Sequence, residues 1–257
     1  MRSLSITAAL VCLAFLGTAN GEEKLSMSEA DKAMYAELVE NNPAEMDGAE
    51  GEQLFGELIS LGDYSKMLGV KETDLPAYLA GFPRYVDAAK KVVTISQTIQ
   101  MAAASADKPV PKLKSKEMLK MTLYVKSLAN GQNTSIDVKA NKHMAEMQKL
   151  GQQVFEERRG GRGLSCNSCH SADIVGQRLR MQALPDLGAA VTAAAGTWPA
   201  YRMTKSETTA LDKRFQQCMN NALLAEIPLG SKEMVALEVY VTNKTKGNPI
   251  QVPGVKR

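Results

Sequence analysis

The residues able to do the most demanding chemistry stand in one short run, Cys166-Asn167-Ser168-Cys169-His170. Two thiols lie three positions apart and an imidazole follows at once. Such a run could serve as a disulfide, a dithiol redox pair or half of a zinc site. A zinc site needs further ligands, and only His143 and Cys218 remain in the body of the chain. A thioredoxin-like dithiol expects a strand before it, whereas residues 156–163 are charged and Gly-rich. The chemistry that uses every member is covalent haem attachment. Each thiol forms a thioether with a porphyrin vinyl group, and His170 lies beneath the iron as its ligand. One such motif predicts one covalently bound haem c.

The second iron ligand is not fixed by spacing. Met181, Met203 and Met219 follow the motif, and methionine is a common partner of histidine; at helical spacing such methionines also serve as core packing. His143 is the other histidine, on a charged stretch that suits a surface residue. Cys218 is the third option, and a buried inert thiol is its simplest reading. Two features favour chemistry at Cys218. It is a leftover thiol if the chain is exported, and Arg214 lies four residues before it, on the same face of a predicted helix. A guanidinium there could ease thiol ionisation and hold an oxyanion beside the sulfur. Lys213 and Arg178 or Arg180 could add positive charge, or could be solvated surface.

These residues need elements to hold them, and the patterning is helical. Apolar residues recur every three or four positions over 28–41, 86–104, 115–128, 136–158, 205–226 and 231–243. Thr204 and Ser206 are candidate caps for one helix and Ser231 for the next. Pro83, Pro185, Pro199 and Pro228 punctuate the connections, and residues 108–112 read as a short extended linker. No strand pattern runs far enough to predict a sheet, so the fold class is mainly α. A repeat organises the helices. Gly51-Glu52-Gln53-Leu54-Phe55 returns as Gly151-Gln152-Gln153-Val154-Phe155, an offset of 100. Phe82-Pro83-Arg84-Tyr85 returns as Trp198-Pro199-Ala200-Tyr201, and Ser115-Lys116-Glu117-Met118 as Ser231-Lys232-Glu233-Met234, both offset by 116. The offset grows across the interval that holds the haem motif. Carried back by 116, Cys218 falls on Ala102 and Arg214 on Thr98. The pattern predicts two similar helical domains, 22–135 without haem and 136–257 with it.

The N-terminus reads as an export signal over residues 1–21. Arg2 supplies positive charge, residues 6–16 an apolar core, and Ala19-Asn20-Gly21 small residues for cleavage. Eleven apolar residues are too few to cross a bilayer, and no later stretch is long enough, so no membrane span is expected in the mature chain. Removal of Cys12 with the signal leaves three cysteines, an odd number in an oxidising compartment. Lysines and arginines number 31 against 28 acids, which argues against a nucleic-acid surface. The predicted location is the periplasm.

Several segments together carry a family resemblance. Residues 162–170 around the haem motif, Arg178-Leu179-Arg180-Met181-Gln182, Trp198-Pro199-Ala200-Tyr201-Arg202 and Arg214-Phe215-Gln216-Gln217-Cys218 resemble the SoxA family. These are the larger cytochrome subunits of thiosulfate-oxidising SoxAX complexes. Residues 231–241 and the tail at 253–257 fit as well, whereas the first half matches in layout only. The resemblance implies two cytochrome-c-like domains, in a one-haem form because no CxxCH lies in the first. It implies that Cys166 and Cys169 carry the haem and that His170 ligates its iron. Cys218 would be the distal ligand, modified to a persulfide, and Arg214 the substrate-binding residue. The implied activity is that of an L-cysteine S-thiosulfotransferase, joining thiosulfate to a cysteine of the carrier SoxYZ. Electrons would pass through the haem to the small subunit SoxX and a soluble cytochrome c. The competing function is a simple His/Met-ligated electron carrier without sulfur chemistry, and the two differ at Cys218.

Overall fold

The computed structural model describes residues 28–179, 182–189 and 194–256. The predicted signal, with Cys12, lies outside these residues, as do Arg180, Met181 and Arg257. The first half runs α1 (Glu29–Glu40), α2 (Ala44–Leu58), α3 (Leu61–Met67), α4 (Leu75–Leu79), β1 (Arg84–Val86), β2 (Lys91–Val93), α5 (Ile95–Ser105) and α6 (Lys116–Ser127). The second half runs α7 (Lys142–Glu156), α8 (Asn167–His170), β3 (Arg178–Leu179), β4 (Gln182–Ala183), β5 (Ala200–Arg202), β6 (Glu207–Thr209), α9 (Leu211–Ala222), α10 (Lys232–Lys244) and β7 (Gly254–Lys256). The chain is mainly helical, as its patterning predicts.

Helix starts follow local chemistry. Ser115, Asn141 and Ser231 each accept a hydrogen bond from the backbone N–H three residues on, which opens α6, α7 and α10. Three predicted helices start later than expected, and one of them, α7, begins at Lys142 rather than at 136. Residues 86–93 belong to the β1–β2 hairpin, and α5 begins only after Thr94, which forms a reciprocal cap with Gln97. Residues 205–210 likewise belong to the β5–β6 hairpin, so neither Thr204 nor Ser206 caps α9. Ser206 instead takes φ +50° in the turn. β-Branched Val92, Val93, Thr208 and Thr209 favour these extended pieces. Three-residue strands are too short to show a period, which is why no sheet is predicted from the sequence. The small sheets are β1–β2, β3–β4 and β6–β5–β7, with β7 parallel to β5.

The same layout recurs in both halves at the spacing of the repeat. Arg84 pairs with Val93 and Val86 with Lys91; 116 residues on, Ala200 pairs with Thr209 and Arg202 with Glu207. α5 and α9 begin at 95 and 211, and α6 and α10 at 116 and 232. In each half a glycine lets two helices meet backbone to backbone. A Cβ on Gly51 would lie 2.1 Å from the Lys120 carbonyl oxygen, and one on Gly151 would lie 2.0 Å from that of Ala236. Beside these crossings Phe55 packs on Tyr124 and Phe155 on Tyr240, ring centroids 5.7 and 5.1 Å apart. These correspondences are consistent with an internal duplication.

The halves are not separable. Val92 of the first packs with Met147, Val235 and Val239 of the second. The segment after α10 crosses back, placing Ile250 in the apolar core of the first half. Asn130 clamps it there, donating to the Val252 carbonyl at 2.6 Å and accepting from the Val252 N–H at 2.9 Å.

Candidate active site

The haem motif sits on a short, tightly tied piece of chain. After α7, an isolated bridge between Arg159 and Leu164 closes a turn in which Gly160 and Gly163 have positive φ. Ser165 and Ser168 then cap each other, each backbone N–H donating to the other hydroxyl at 3.0–3.2 Å. This begins α8, in which the His170 N–H donates to the Cys166 carbonyl at 3.0 Å. One helical turn thus carries both thiols and the imidazole. The Nδ1–H of His170 donates to the Pro185 carbonyl at 2.9 Å, which leaves Nε2 available to a metal.

α9 packs into the same apolar cluster as Cys166. Its apolar side enters the core through Phe215 and Met219, and Gln216 is fixed by donating to the Ile227 carbonyl at 3.0 Å. Arg214 and Cys218 stand one turn apart on this helix, as their spacing predicts. Burial pushes the Cys218 thiol up from its ordinary range, while Arg214 and then Arg202 pull it down. Burial also raises Cys166, to about 11, with Cys218 adding to the rise. His170 is lowered by burial, and Arg214 reinforces that. Arg214 thus acts on both His170 and Cys218, and Cys218 in turn acts on Cys166.

Arg202 is the residue that sequence spacing misses. It lies on β5 with 6% of its surface exposed. Its side chain donates from Nη2 to the Thr204 hydroxyl at 3.3 Å, while buried Nε and Nη1 have no partner among the described residues. Burial and Arg214 lower its proton affinity, and Cys218 raises it. Arg202 stands where the first half has Val86, a core residue. A buried guanidinium replacing a valine was visible in the sequence only as the last residue of Trp198-Pro199-Ala200-Tyr201-Arg202.

The other ligand candidates separate. His143 stacks on Tyr85 at the junction with the first half, centroids 4.8 Å apart. Met219 is buried in the apolar cluster behind α9, and the Met203 N–H donates to the Lys256 carbonyl along the small sheet. Met181 lies outside the described residues. Lys213 is exposed and donates to the Gln216 side chain at 3.2 Å. Arg178 is on the exposed hairpin β3–β4. Of the ligand candidates that spacing left open, Cys218 is the one whose electrostatics are coupled to Cys166 and Cys169.

This donor set fits a c-type haem. Cys166, Cys169 and Cys218 are free thiols, His170 has its outer nitrogen fixed, and the donors of Arg202, unpartnered among the described residues, suit an anionic group.

Comparisons with known proteins point the same way. Residues 150–250 match the family model described as SoxA/TsdA, cytochrome c domain. The L-cysteine S-thiosulfotransferase subunit SoxA of Hydrogenophilus thermoluteolus is 29% identical over 250 residues, 92% of this chain and 90% of that protein. The subunit of the same name from Chlorobaculum thiosulfatiphilum is 26% identical over 92% of this chain and 80% of its own length. A crystal structure of SoxXA from P. pantotrophus superposes with a TM-score of 0.71 at 18% identity, covering 88% of this chain and 84% of that one. That likeness establishes a shared fold. No helix among the described residues is long and apolar enough to cross a membrane.

Proposed function

With residues 150–250 taken as a cytochrome c domain of the SoxA/TsdA type, we propose that this chain is the haem-bearing subunit of an L-cysteine S-thiosulfotransferase. Its substrates are thiosulfate and a cysteine thiol on a carrier protein of the SoxYZ kind. The observation that carries the reading is Cys218, a thiol flanked by two arginines and electrostatically coupled to the haem-attachment cysteines. A simple electron carrier has no use for that arrangement.

Cys166 and Cys169 would hold the haem covalently, His170 and Cys218 would ligate it, and Cys218 would carry a persulfide sulfur in the working enzyme. Bound there, the haem supplies one-electron acceptance. Arg214 holds the sulfonate oxygens of thiosulfate beside Cys218, and Arg202 adds a second positive charge. The Cys218 sulfur bonds to the terminal sulfur of thiosulfate as two electrons leave. The carrier thiolate then attacks the sulfur that bears the sulfonate, so that carrier cysteine S-thiosulfonate departs and the Cys218 sulfur is regenerated as its anion. Two electrons exceed the capacity of one haem, so a second redox subunit of the SoxX kind takes part and passes electrons to a soluble cytochrome c. These reactants place the protein in the periplasm, after removal of residues 1–21. The haem-free domain, 22–135, frames the haem domain, 136–257.

The test combines peptide mass spectrometry with one variant. The native protein should carry haem on the Cys166–Cys169 peptide and an added sulfur on the Cys218 peptide. Cys218→Ala should lose thiosulfate conjugation entirely. Full activity in that variant would leave the electron-carrier reading in its place.

A further inference from the structure

The repeat brings matching positions of the two halves face to face around one cavity of about 40 Å³, room enough for water. Its wall contains Phe82 and Trp198, Ile95 and Leu211, Ser96 and Asp212, Thr122 and Glu238, and Lys126 and Thr242. Each pair differs by 116 in number, so the cavity lies where the halves meet as pseudo-equivalents. Its polar members are not equivalent. In the first half Ser96 and Thr122 share an ordinary hydroxyl hydrogen bond of 3.1 Å. In the second half those positions hold two carboxylates, Asp212 on α9 and Glu238 on α10. Lys126 of α6 faces them in place of a second threonine and is 7% exposed. Among the described residues no other ionisable side chain lines the cavity.

The cavity is partly open, with Lys126 buried and Asp212 and Glu238 half-buried, and two carboxylates crowded with one ammonium there compete for protons near neutral pH. Burial raises Glu238 to about 8, and the Asp212 charge adds to the rise. Burial lowers Lys126 to about 8, against the opposing pull of Glu238. Asp212 is raised by burial, with the adjacent Lys213 and its backbone N–H opposing. No ion pair within 4 Å locks any of the three, because the salt bridges of the described residues lie elsewhere. A cluster built only to fasten the halves would be expected to close such a pair.

Asp212 also opens the helix that carries Cys218. Six residues separate them, about 9 Å along the axis. We propose that Asp212, Glu238 and Lys126 form a redox-linked proton site, which takes a proton from solvent when the haem iron is reduced and returns it on oxidation. With a tenfold difference in proton affinity, each electron entering is matched by at most about half a proton entering the cavity, on average. The electron comes from thiosulfate conjugation and the proton from water, which has received the one lost by the carrier thiol. A unit charge placed beside Cys218, about 9 Å along the helix from Asp212, changes proton affinity there by roughly tenfold. By linkage, the reduced state holds the proton more tightly, so the reduction potential falls as pH rises through the window around 8.

This inference rests on the haem reading of the second half. The experiment is a potentiometric titration of the haem-loaded protein in its native complex between pH 6 and 10. It is followed by electron paramagnetic resonance, to resolve this haem from any in a partner subunit. The native protein should show a fall approaching 59 mV in total, the equivalent of a tenfold difference in proton affinity. Glu238→Gln should flatten the curve. Lys126→Met should move the window to higher pH, because the carboxylates lose their cation. A flat native curve, or an unchanged slope in Glu238→Gln, overturns the proposal. Absence of haem from the Cys166–Cys169 peptide would instead overturn the haem reading.

Discussion

At the scale of single residues, the second half differs from the first by a few substitutions at matching positions. Val86, Thr98 and Ala102 give way to Arg202, Arg214 and Cys218, and Ser96 and Thr122 to Asp212 and Glu238. Each introduces charge or a reactive sulfur where the first half keeps a small or apolar side chain, and that carries a stability cost. Glu238 makes the cost measurable. Its folded-state proton affinity lies above that of an unfolded glutamate, so the folded chain binds more protons between about pH 4.5 and 8. Native stability contributed at this site is present below that range and is lost as pH rises through it. Glu238→Gln should therefore be more stable than the native protein at pH 8, by about 2 kcal/mol, with the advantage vanishing near pH 4. Urea unfolding at the two pH values checks it, and equal stability at pH 8 would show that the carboxylate is already well solvated.

Among the secondary-structure elements, the crossings of α2 with α6 and of α7 with α10 form the frame on which both halves hang. Gly151→Ala would drive a methyl group into the Ala236 carbonyl, which is backbone and cannot swing away. The expected loss is about 3 kcal/mol, read as a lower melting temperature with haem content measured alongside. Legibility followed the same division. α1, α6 and α10 could be read directly, because their caps and apolar spacing agree. α2 could not, since Gly48, Gly51 and Gly56 weaken its helical signal, although the repeat marked its sequence. The strands β2 and β6 fall inside the predicted helices 86–104 and 205–226 because three residues a strand leave no period to detect. The haem motif and the pairing of Arg214 with Cys218 were legible because both are local spacings. Arg202 and the cavity carboxylates were not, since their meaning comes from residues distant in sequence.

For the whole molecule, the two halves share cores rather than merely touching. Ile250 completes the first core, and Val92 joins one built largely from α7 and α10. Thermal unfolding of the haem-loaded chain should accordingly give a single calorimetric transition, with agreement between calorimetric and van't Hoff enthalpies. Removal of residues 247–257 should destabilise the first half, reported by faster hydrogen exchange in α2 and α6. Unchanged protection there would mean that the crossing segment is decoration.

That crossing segment also sets an order of events. Ile250 and Val252 lie more than 110 residues beyond the end of α6, so the first half cannot close its core as it emerges. It must wait for a stretch that is made after the Cys166–His170 run. An N-terminal half that folded early would present a finished body while the haem-binding run was still being made. Here the first core is completed by a segment that follows that run in the chain, and the same segment pairs with β5 of the second half.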